Sequence, residues 1–502
     1  MDKPEVTTAK PRRLHVEGET ADSPLRRDWH AASTGPASRE LLGRDRRVFL
    51  HQSLSTPGIG AIRRAEGSWI EDLDGRRFLD FHGNSVHHIG YGHPAVVAAV
   101  TEQMETLGFS PRRYTNAPAV ALAERLAGRF DACRANAGHM VRAEGSARVL
   151  FTTGGSDAVE VALKIARATT GRFKTVSFWD SFHGAGFGAA SVGGEATFRS
   201  HIAGPLLPGA EHVAPFACFR CPYGHPGPEN CGLACAGMVR FVLEREEDVA
   251  AVIAEPVRAI PQVPPDGYWA EVRQACDDHG ALLIFDEIPT GLGKTGTFFA
   301  FEQEGVSPDI VVLGKALGGG LLPIAAVIAR GGLDAAGDFA IGHYTHEKNP
   351  VTARAALAVL DVIETEGLAG RTADLGAFAI DRLRGVAEGC PIVGDVRGRG
   401  LLIGIDIVNG DGTRGAAPDR AERILYRCLE EGLSFKVSQG SVLTLSPPLT
   451  IARDELARAL DIVEAAILRE LKESATVEMA RRKPPVDDLE PRPTKNSDST
   501  GN

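Results

Sequence analysis

A lysine just past a buried strand and ahead of a glycine-rich turn is the first residue with chemistry to offer: Lys315, in the run DIVVLGKALGGG. In a partly desolvated pocket the ammonium form of such a side chain is disfavoured, and the free amine can condense with an aldehyde. A second apolar run, ALLIFDE from Ala281, ends in two carboxylates, Asp286 and Glu287. A carboxylate so placed needs a metal or a cation beside it, and a protonated pyridine nitrogen is such a cation. The run FTTGGSDAVEVALKIAR from Phe151 supplies a strand, a glycine turn at Gly155, a hydroxyl at Ser156 and a helix. That order aims free backbone N–H groups and the helix dipole at an anion, ideally a phosphate. Phe182 and His183, after the strand-like KTVSFW, offer an aromatic face for a flat ring. Amine, carboxylate, phosphate cup and aromatic face, each at a strand end, are together what pyridoxal phosphate requires.

Other groups of residues invite other chemistry. The stretch GLGKTG at Gly291 imitates a nucleotide-binding loop, but that loop needs a glycine where this chain has Ile288. Lys294 is therefore expected to contact no phosphate. Cys218, Cys221, Cys231 and Cys235 form two close pairs around a Gly/Pro loop that holds His225. Paired thiolates at such spacing can bind zinc, but three residues separate the second pair where two are usual, so the expectation is unligated thiols and no metal. SPRRYTN places Arg112 and Arg113 together, and Lys348 lies in THEKNP; these are the candidate cations for an anionic substrate. The alternative is that they are solvated or held in structural ion pairs. His87 and His88 read as core histidines.

These residues need a scaffold. Apolar runs at Val149–Thr152, Thr175–Phe178, Ala250–Ala254, Ala281–Phe285, Ile310–Leu313 and Ile324–Ile328 alternate with helical patterns. Alternation of this kind predicts a mostly parallel sheet covered on both faces, with ligands beyond the carboxyl ends of its strands. An Asp-Gly turn at Asp74–Gly75 predicts a hairpin. The formal net charge of −10 argues against a nucleic-acid partner. No apolar run is long enough to span a bilayer and no leader is evident, so a cytoplasmic protein is expected. Eight cysteines in 502 residues are too sparse for a disulfide scaffold.

The chain resembles the class III, ω-aminotransferase-like family of fold type I pyridoxal-phosphate enzymes over roughly Leu50 to Arg469. The motifs that carry the resemblance are GGSDAVEVALKIAR, SFHG, AEP, FDEIPTGLGKTG, DIVVLGKALGGGLLPIAAV, YTHEKNPVTARAALAVLDVIE, VRGRGLLIGID and LSPPLTI. It implies that Lys315 forms the imine, Asp286 pairs with the pyridine N–H and Ile288 packs under the ring. It further implies that Gly155 and Ser156 hold the phosphate, that Phe182 stacks with His183 beside it, and that Thr345 reaches the phosphate of a neighbouring subunit. A homodimer with a shared active site follows. The implied fold is α/β. Residues 1–30 and 475–502 are expected to be disordered tails, 116–361 a large cofactor-binding domain, and 31–115 with 362–474 one small domain built from both ends.

Two positions depart from that family's pattern. Pro289 stands where a glutamine is usual, and Thr444 where many members carry an arginine for the substrate carboxylate. Without that anchor the amino-acid half of transamination loses support. FHGNSVHHIGYGHP, FSPRRYTN and YTHEKNP resemble instead a lyase branch that acts on amines bearing phosphate or phosphonate. The expected activity is α,β-elimination from an aminoalkylphosphonate, releasing ammonia. The rivals are an ω-aminotransferase on an amine or amino acid, a phospho-lyase on a phosphorylated amino alcohol, and a catalytically silent binding protein.

Overall fold

A sheet buried on both faces is built from strands that are apolar throughout, and this chain supplies them in quick succession. The computed structural model describes residues 23–52, 58–138, 145–199 and 204–482. Near the N-terminus β1 (Ile62–Glu66), β2 (Trp69–Asp72) and β3 (Arg77–Asp80) form an antiparallel meander. The β2–β3 hairpin turns at the expected Asp-Gly pair, where Gly75 takes a φ of 85° and its N–H donates to the Asp72 carbonyl.

The central sheet contains β4 (Arg148–Thr152), β5 (Lys174–Phe178), β6 (Ala210–Val213), β7 (Val249–Ala254), β8 (Leu282–Asp286), β9 (Ile310–Leu313) and β10 (Ala325–Ala329). Their spatial order is β4-β10-β9-β8-β7-β5-β6, and only β10 runs against its neighbours. Every residue of β7, β8 and β9 is buried, as strands covered on both faces must be. Side chains alternate between two cores. Ile253, Ile284 and Val312 pack with the apolar face of the helix Gly155–Thr170. Val252, Phe285 and Val311 join the larger core that holds Trp269 and Phe130. The Trp269 and Phe285 rings meet edge to face at 4.7 Å.

Beyond the central sheet, β11 (Val393–Arg399), β12 (Leu402–Ile407), β14 (Lys436–Ser438) and β15 (Val442–Leu445) form a second antiparallel sheet in the order β11-β12-β15-β14. The short β13 (Leu433–Ser434) pairs parallel to β3, so the two ends of the chain share one sheet.

At both termini the structure departs from the expected tails. A helix forms at Pro24–Ser33 because Ser23 caps it, accepting from the Arg26 N–H at 2.9 Å, and Trp29 stacks on Tyr426 at 5.3 Å. The last helix runs from Arg453 to Arg482, beyond position 475. Its earlier turns are held by Glu470, which accepts from Arg420, Arg423 and Arg427 of the helix Pro418–Glu430. Residues 1–22 and 483–502 lie outside the described residues.

Candidate active site

Strand ends determine what meets in the site. Asp286 is the last residue of β8, with 3 % of its side chain exposed. Its Oδ1 accepts from the Ile288 N–H at 3.1 Å, and its Oδ2 lies 2.8 Å from His183 Nδ1. The other His183 nitrogen, Nε2, is buried without a hydrogen-bond partner. A ring that donates from Nδ1 to a carboxylate is fixed in position with Nε2 as its acceptor. Lys315 follows β9 after Gly314 and opens a short 3₁₀ turn, Lys315–Gly318. Its φ of 46° lies in the left-handed region that non-glycine residues rarely enter.

The glycine turn and the helix after it form as their residue order suggests. Gly154 caps the helix Gly155–Thr170 with no side-chain bond, so the first-turn N–H groups point outward without a capping acceptor. Ser156 Oγ accepts from the Ala185 N–H at 3.1 Å, tying the loop after β5 to this turn. The approach is too close for side chains. A Cβ on Gly184, whose φ is 137°, would lie 2.6 Å from Ser156 Oγ, and one on Gly155 would lie 2.7 Å from Ile288 Cδ1.

Gly155, Ser156, Phe182, His183, Asp286, Ile288 and Lys315 all line one cavity of about 170 Å³. Phe182 is half-buried, its ring 4.6 Å from that of Phe198. A second cavity of about 300 Å³, on the side of Val86 and Leu321, shares Gly155 and Lys315. The residues present fit pyridoxal phosphate. A buried carboxylate suits a ring nitrogen, a helix N-terminus suits a phosphate, an amine suits an aldehyde, and glycines leave room that side chains would fill.

Sequence reasoning gave no role to Glu255 or Ala259, which line the same cavity. Glu255 Oε1 accepts from the Ala259 N–H at 3.1 Å. The signal was available, since Glu255 directly follows an apolar strand, β7, much as Asp286 ends β8.

The structure gathers Thr345, Arg112, Arg113 and Lys348 elsewhere. All four are exposed, and none lines the cavity that holds their own chain's Lys315. Arg112 Nε stands 4.0 Å from Glu347 Oε1, and the rings of Phe109 and His346 meet at 5.3 Å. The Lys348 carbonyl accepts from Asn116 Nδ2 at 2.9 Å. Segments 109–116 and 343–349 thus form one exposed patch.

Lys294 is fully buried and donates from Nζ to the Pro447 carbonyl at 2.6 Å, so it is built into the core. Burial pulls its ammonium down to about 7. Beside Asp286, Glu287 accepts from the Ala300 and Phe301 N–H groups at 2.7 and 2.8 Å. Burial outweighs those bonds and pushes its carboxyl up to about 8. His87 and His88 are both buried, 0 % and 1 % exposed.

Cys218, Cys221, Cys231 and Cys235 line a small cavity with His225, and all are free thiols. Burial pushes the Cys218 thiol up and that of Cys235 to about 11. Among the described residues no group of three or more His, Cys, Asp or Glu is arranged to hold a metal ion.

Comparison with known proteins agrees with the geometry. Residues 53–467 match the family model described as aminotransferase class-III. The chain is 43 % identical over 471 residues to the (R)-1-hydroxy-2-aminoethylphosphonate ammonia-lyase of Vibrio splendidus, an alignment covering 91 % of this chain and 96 % of that one. It is 36 % identical to the leucine/methionine racemase of Thermococcus litoralis, over 85 % of this chain and 95 % of the other. An amine transaminase from an uncultivated Pseudomonas species, solved with pyridoxal phosphate bound, superposes with a TM-score of 0.75 at 34 % identity. That match covers 82 % of this chain and 94 % of the transaminase. The seven-stranded sheet with β10 reversed is therefore the large-domain sheet of a fold type I pyridoxal-phosphate enzyme. The chain belongs to the class III aminotransferase family and is an enzyme that uses pyridoxal phosphate.

Proposed function

We propose that this chain is an ammonia-lyase acting on (R)-1-hydroxy-2-aminoethylphosphonate, releasing phosphonoacetaldehyde and ammonia. The observation that carries the reading is 43 % identity to a lyase of that name along nearly the full length of both chains. Two features of the site support it. Thr444 places a hydroxyl, bonded to Ser438 Oγ at 2.8 Å, at a position that supplies no cation for an amino-acid carboxylate. Pro289 lines the cavity with no side-chain donor or acceptor.

Bound in the cavity, pyridoxal phosphate supplies an electron sink for the carbon that bears nitrogen. The protein's residues do the rest. The first-turn N–H groups at Gly155 and Ser156 would hold the phosphate and Asp286 would meet the ring nitrogen, with His183 fixing Asp286. Phe182 and Ile288 line the cavity where the ring would lie. Lys315 Nζ removes a proton from the carbon bearing nitrogen, and hydroxide leaves the neighbouring carbon that bears phosphorus. The enamine that departs takes up water to give the aldehyde and ammonia. No amino acceptor is consumed.

We further propose a homodimer. Phe109, Tyr114, Phe187, Leu321 and Phe339 are large apolar side chains exposed in one protomer, and Leu321 lines the second cavity. A second copy would cover them and bring Thr345, with Arg112, Arg113 and Lys348, to its partner's phosphate or substrate. Eight unpaired thiols, which a reducing compartment would keep so, support a cytoplasmic reading. No described helix is long and apolar enough to cross a membrane.

The test is incubation of holoenzyme with the hydroxy-aminophosphonate alone, measuring ammonia, phosphate and aldehyde together. Ammonia and phosphonoacetaldehyde in equal amounts, with no phosphate, are expected. Turnover that appears only on adding pyruvate or 2-oxoglutarate would identify an aminotransferase. Loss of optical activity from an amino acid without ammonia would identify a racemase, as in the Thermococcus relative.

A further inference from the structure

We propose that Asn84 and Ser85, carried on a strained turn beside Lys315, donate hydrogen bonds to the acidic head of the substrate. The inference rests on the proposed lyase reading for the identity of that head, a phosphonate. The geometry of the turn is independent of that reading.

Three successive residues of this turn have left-handed backbones, Gly83 at a φ of 46°, Asn84 at 47° and Ser85 at 59°. Residues with a side chain enter that region at a cost, and as single positions rather than in runs. A glycine is required at the first of the three, since a Cβ there would run into the His87 ring. The surroundings hold the turn in place. Asp80, at the end of β3, accepts from the His82 and Gly83 N–H groups, both at 3.1 Å, and from the Tyr91 hydroxyl at 2.6 Å. The Ser85 and Val86 N–H groups donate to the His82 and Gly83 carbonyls at 3.0 and 2.9 Å. A strained conformation kept by so many bonds points to a use.

That use follows from what the turn faces. It packs against the turn Lys315–Gly318, and a Cβ on Gly320 would lie 3.4 Å from the Val86 carbonyl oxygen. Val86 lines the second cavity of Lys315, and with Asn84 it also lines a groove of about 530 Å³. Asn84 is exposed and Ser85 half-buried, and neither side chain hydrogen-bonds a described residue. An amide and a hydroxyl are therefore left for a ligand beside the reacting amine. In the proposed substrate only two carbons separate phosphonate from nitrogen, so the head must lie close to Lys315. Hydrogen bonds to an ionised acceptor are short and strong, which suits uncharged donors to this task.

Glycine is the clean deletion at both positions, because it keeps the left-handed backbone and removes only the side chain. Methylphosphonate is titrated by calorimetry into the holoenzyme of the wild type, Asn84→Gly, Ser85→Gly and Asn84→Asp. Kinetics with the hydroxy-aminophosphonate follow on the same proteins. Each glycine variant is expected to melt no lower than the wild type, since strain is relieved, and to bind methylphosphonate about 10-fold more weakly, the loss of one hydrogen bond to a charged acceptor. Asn84→Asp tolerates the same backbone but presents a like charge, and should weaken binding further. In all three KM should rise more than kcat falls. Glycine variants that bind methylphosphonate as the wild type does would leave the turn a structural role only and overturn the assignment, as would a wild type that does not bind it. If the glycine variants do not fold, Asn84→Asp carries the test, and unchanged affinity there overturns it. If methylphosphonate binds through Asn84 and Ser85 and yet no ammonia forms, the lyase reading fails and the role of the turn stands.

Discussion

Single residues carry the readings that can be tested most directly. Lys315→Ala removes the amine proposed to condense with the cofactor. Its visible imine absorbance and its turnover should both vanish while the fold, followed by circular dichroism, remains. Turnover that persisted in this variant would place the chemistry elsewhere. Lys294 gives a prediction about pH. The folded chain releases the Lys294 proton near 7, whereas the unfolded chain keeps it up to the ordinary lysine value of 10.5. Between those values the unfolded state binds more protons at this site, so the contribution of Lys294 to stability rises with pH, by up to about 1.4 kcal/mol per pH unit relative to a variant without it. In Lys294→Met that rise should disappear, as read from denaturation midpoints at several pH values between 7 and 10. A slope equal to the wild type's would mean that Lys294 is not the titrating group. The residues legible in the sequence were those whose chemistry is local. Lys315, Asp286, Gly155 and Ser156 announced themselves by sitting at strand ends.

Elements decide how those residues are presented, and buried strands and tight turns are where substitution should cost most. Asp309 opens the turn into β9 and accepts from Arg273 at 2.8 Å, Arg330 at 2.7 Å and the Leu283 N–H at 2.8 Å. Asp309→Ala leaves the poorly exposed Arg273 without this partner and should destabilise the protein by about 3 kcal/mol, measured by chemical denaturation. A loss well below 1 kcal/mol would show the network to be dispensable. Gly184→Ala acts on the site instead. Its Cβ would enter Ser156, and its φ of 137° resists a side chain, so the phosphate cup should open. The expected result is a protein that folds but loses cofactor on gel filtration. Six of the seven central strands were visible as apolar runs, to within a residue at each end. The seventh, β6, reads AEHV and carries no such run; it is recognisable only as the edge beside β5. The helix at Pro24–Ser33 was missed because half of its residues are polar and its anchors, Glu422 and Tyr426, lie about 400 residues away.

At the scale of the whole molecule, one protomer leaves its candidate groups divided between two places. Gly155, Ser156, Asp286 and Lys315 line its cavity, while Thr345, Arg112 and Lys348 stand exposed on another surface. A two-fold dimer resolves this if each site takes its cavity from one copy and Thr345 from the other. Mixed variants then make a sharp test. Lys315→Ala destroys a site in the chain that carries it. Thr345→Asp sets a carboxylate against the cofactor phosphate in the opposite site, and like charges repel. Each variant alone should be nearly inactive. After unfolding together and refolding, half the dimers contain one chain of each kind, and each of these holds one intact site and one doubly damaged site. About a quarter of all sites should therefore regain activity, a fraction fixed by the two-fold symmetry alone. Activity should rise with refolding and be absent when the separately refolded variants are merely mixed. If Thr345→Asp is fully active by itself, Thr345 lies away from any phosphate. If both variants are inactive and co-refolding restores nothing, each site is complete within one chain, and the exposed patch at Arg112, Thr345 and Lys348 has some other use.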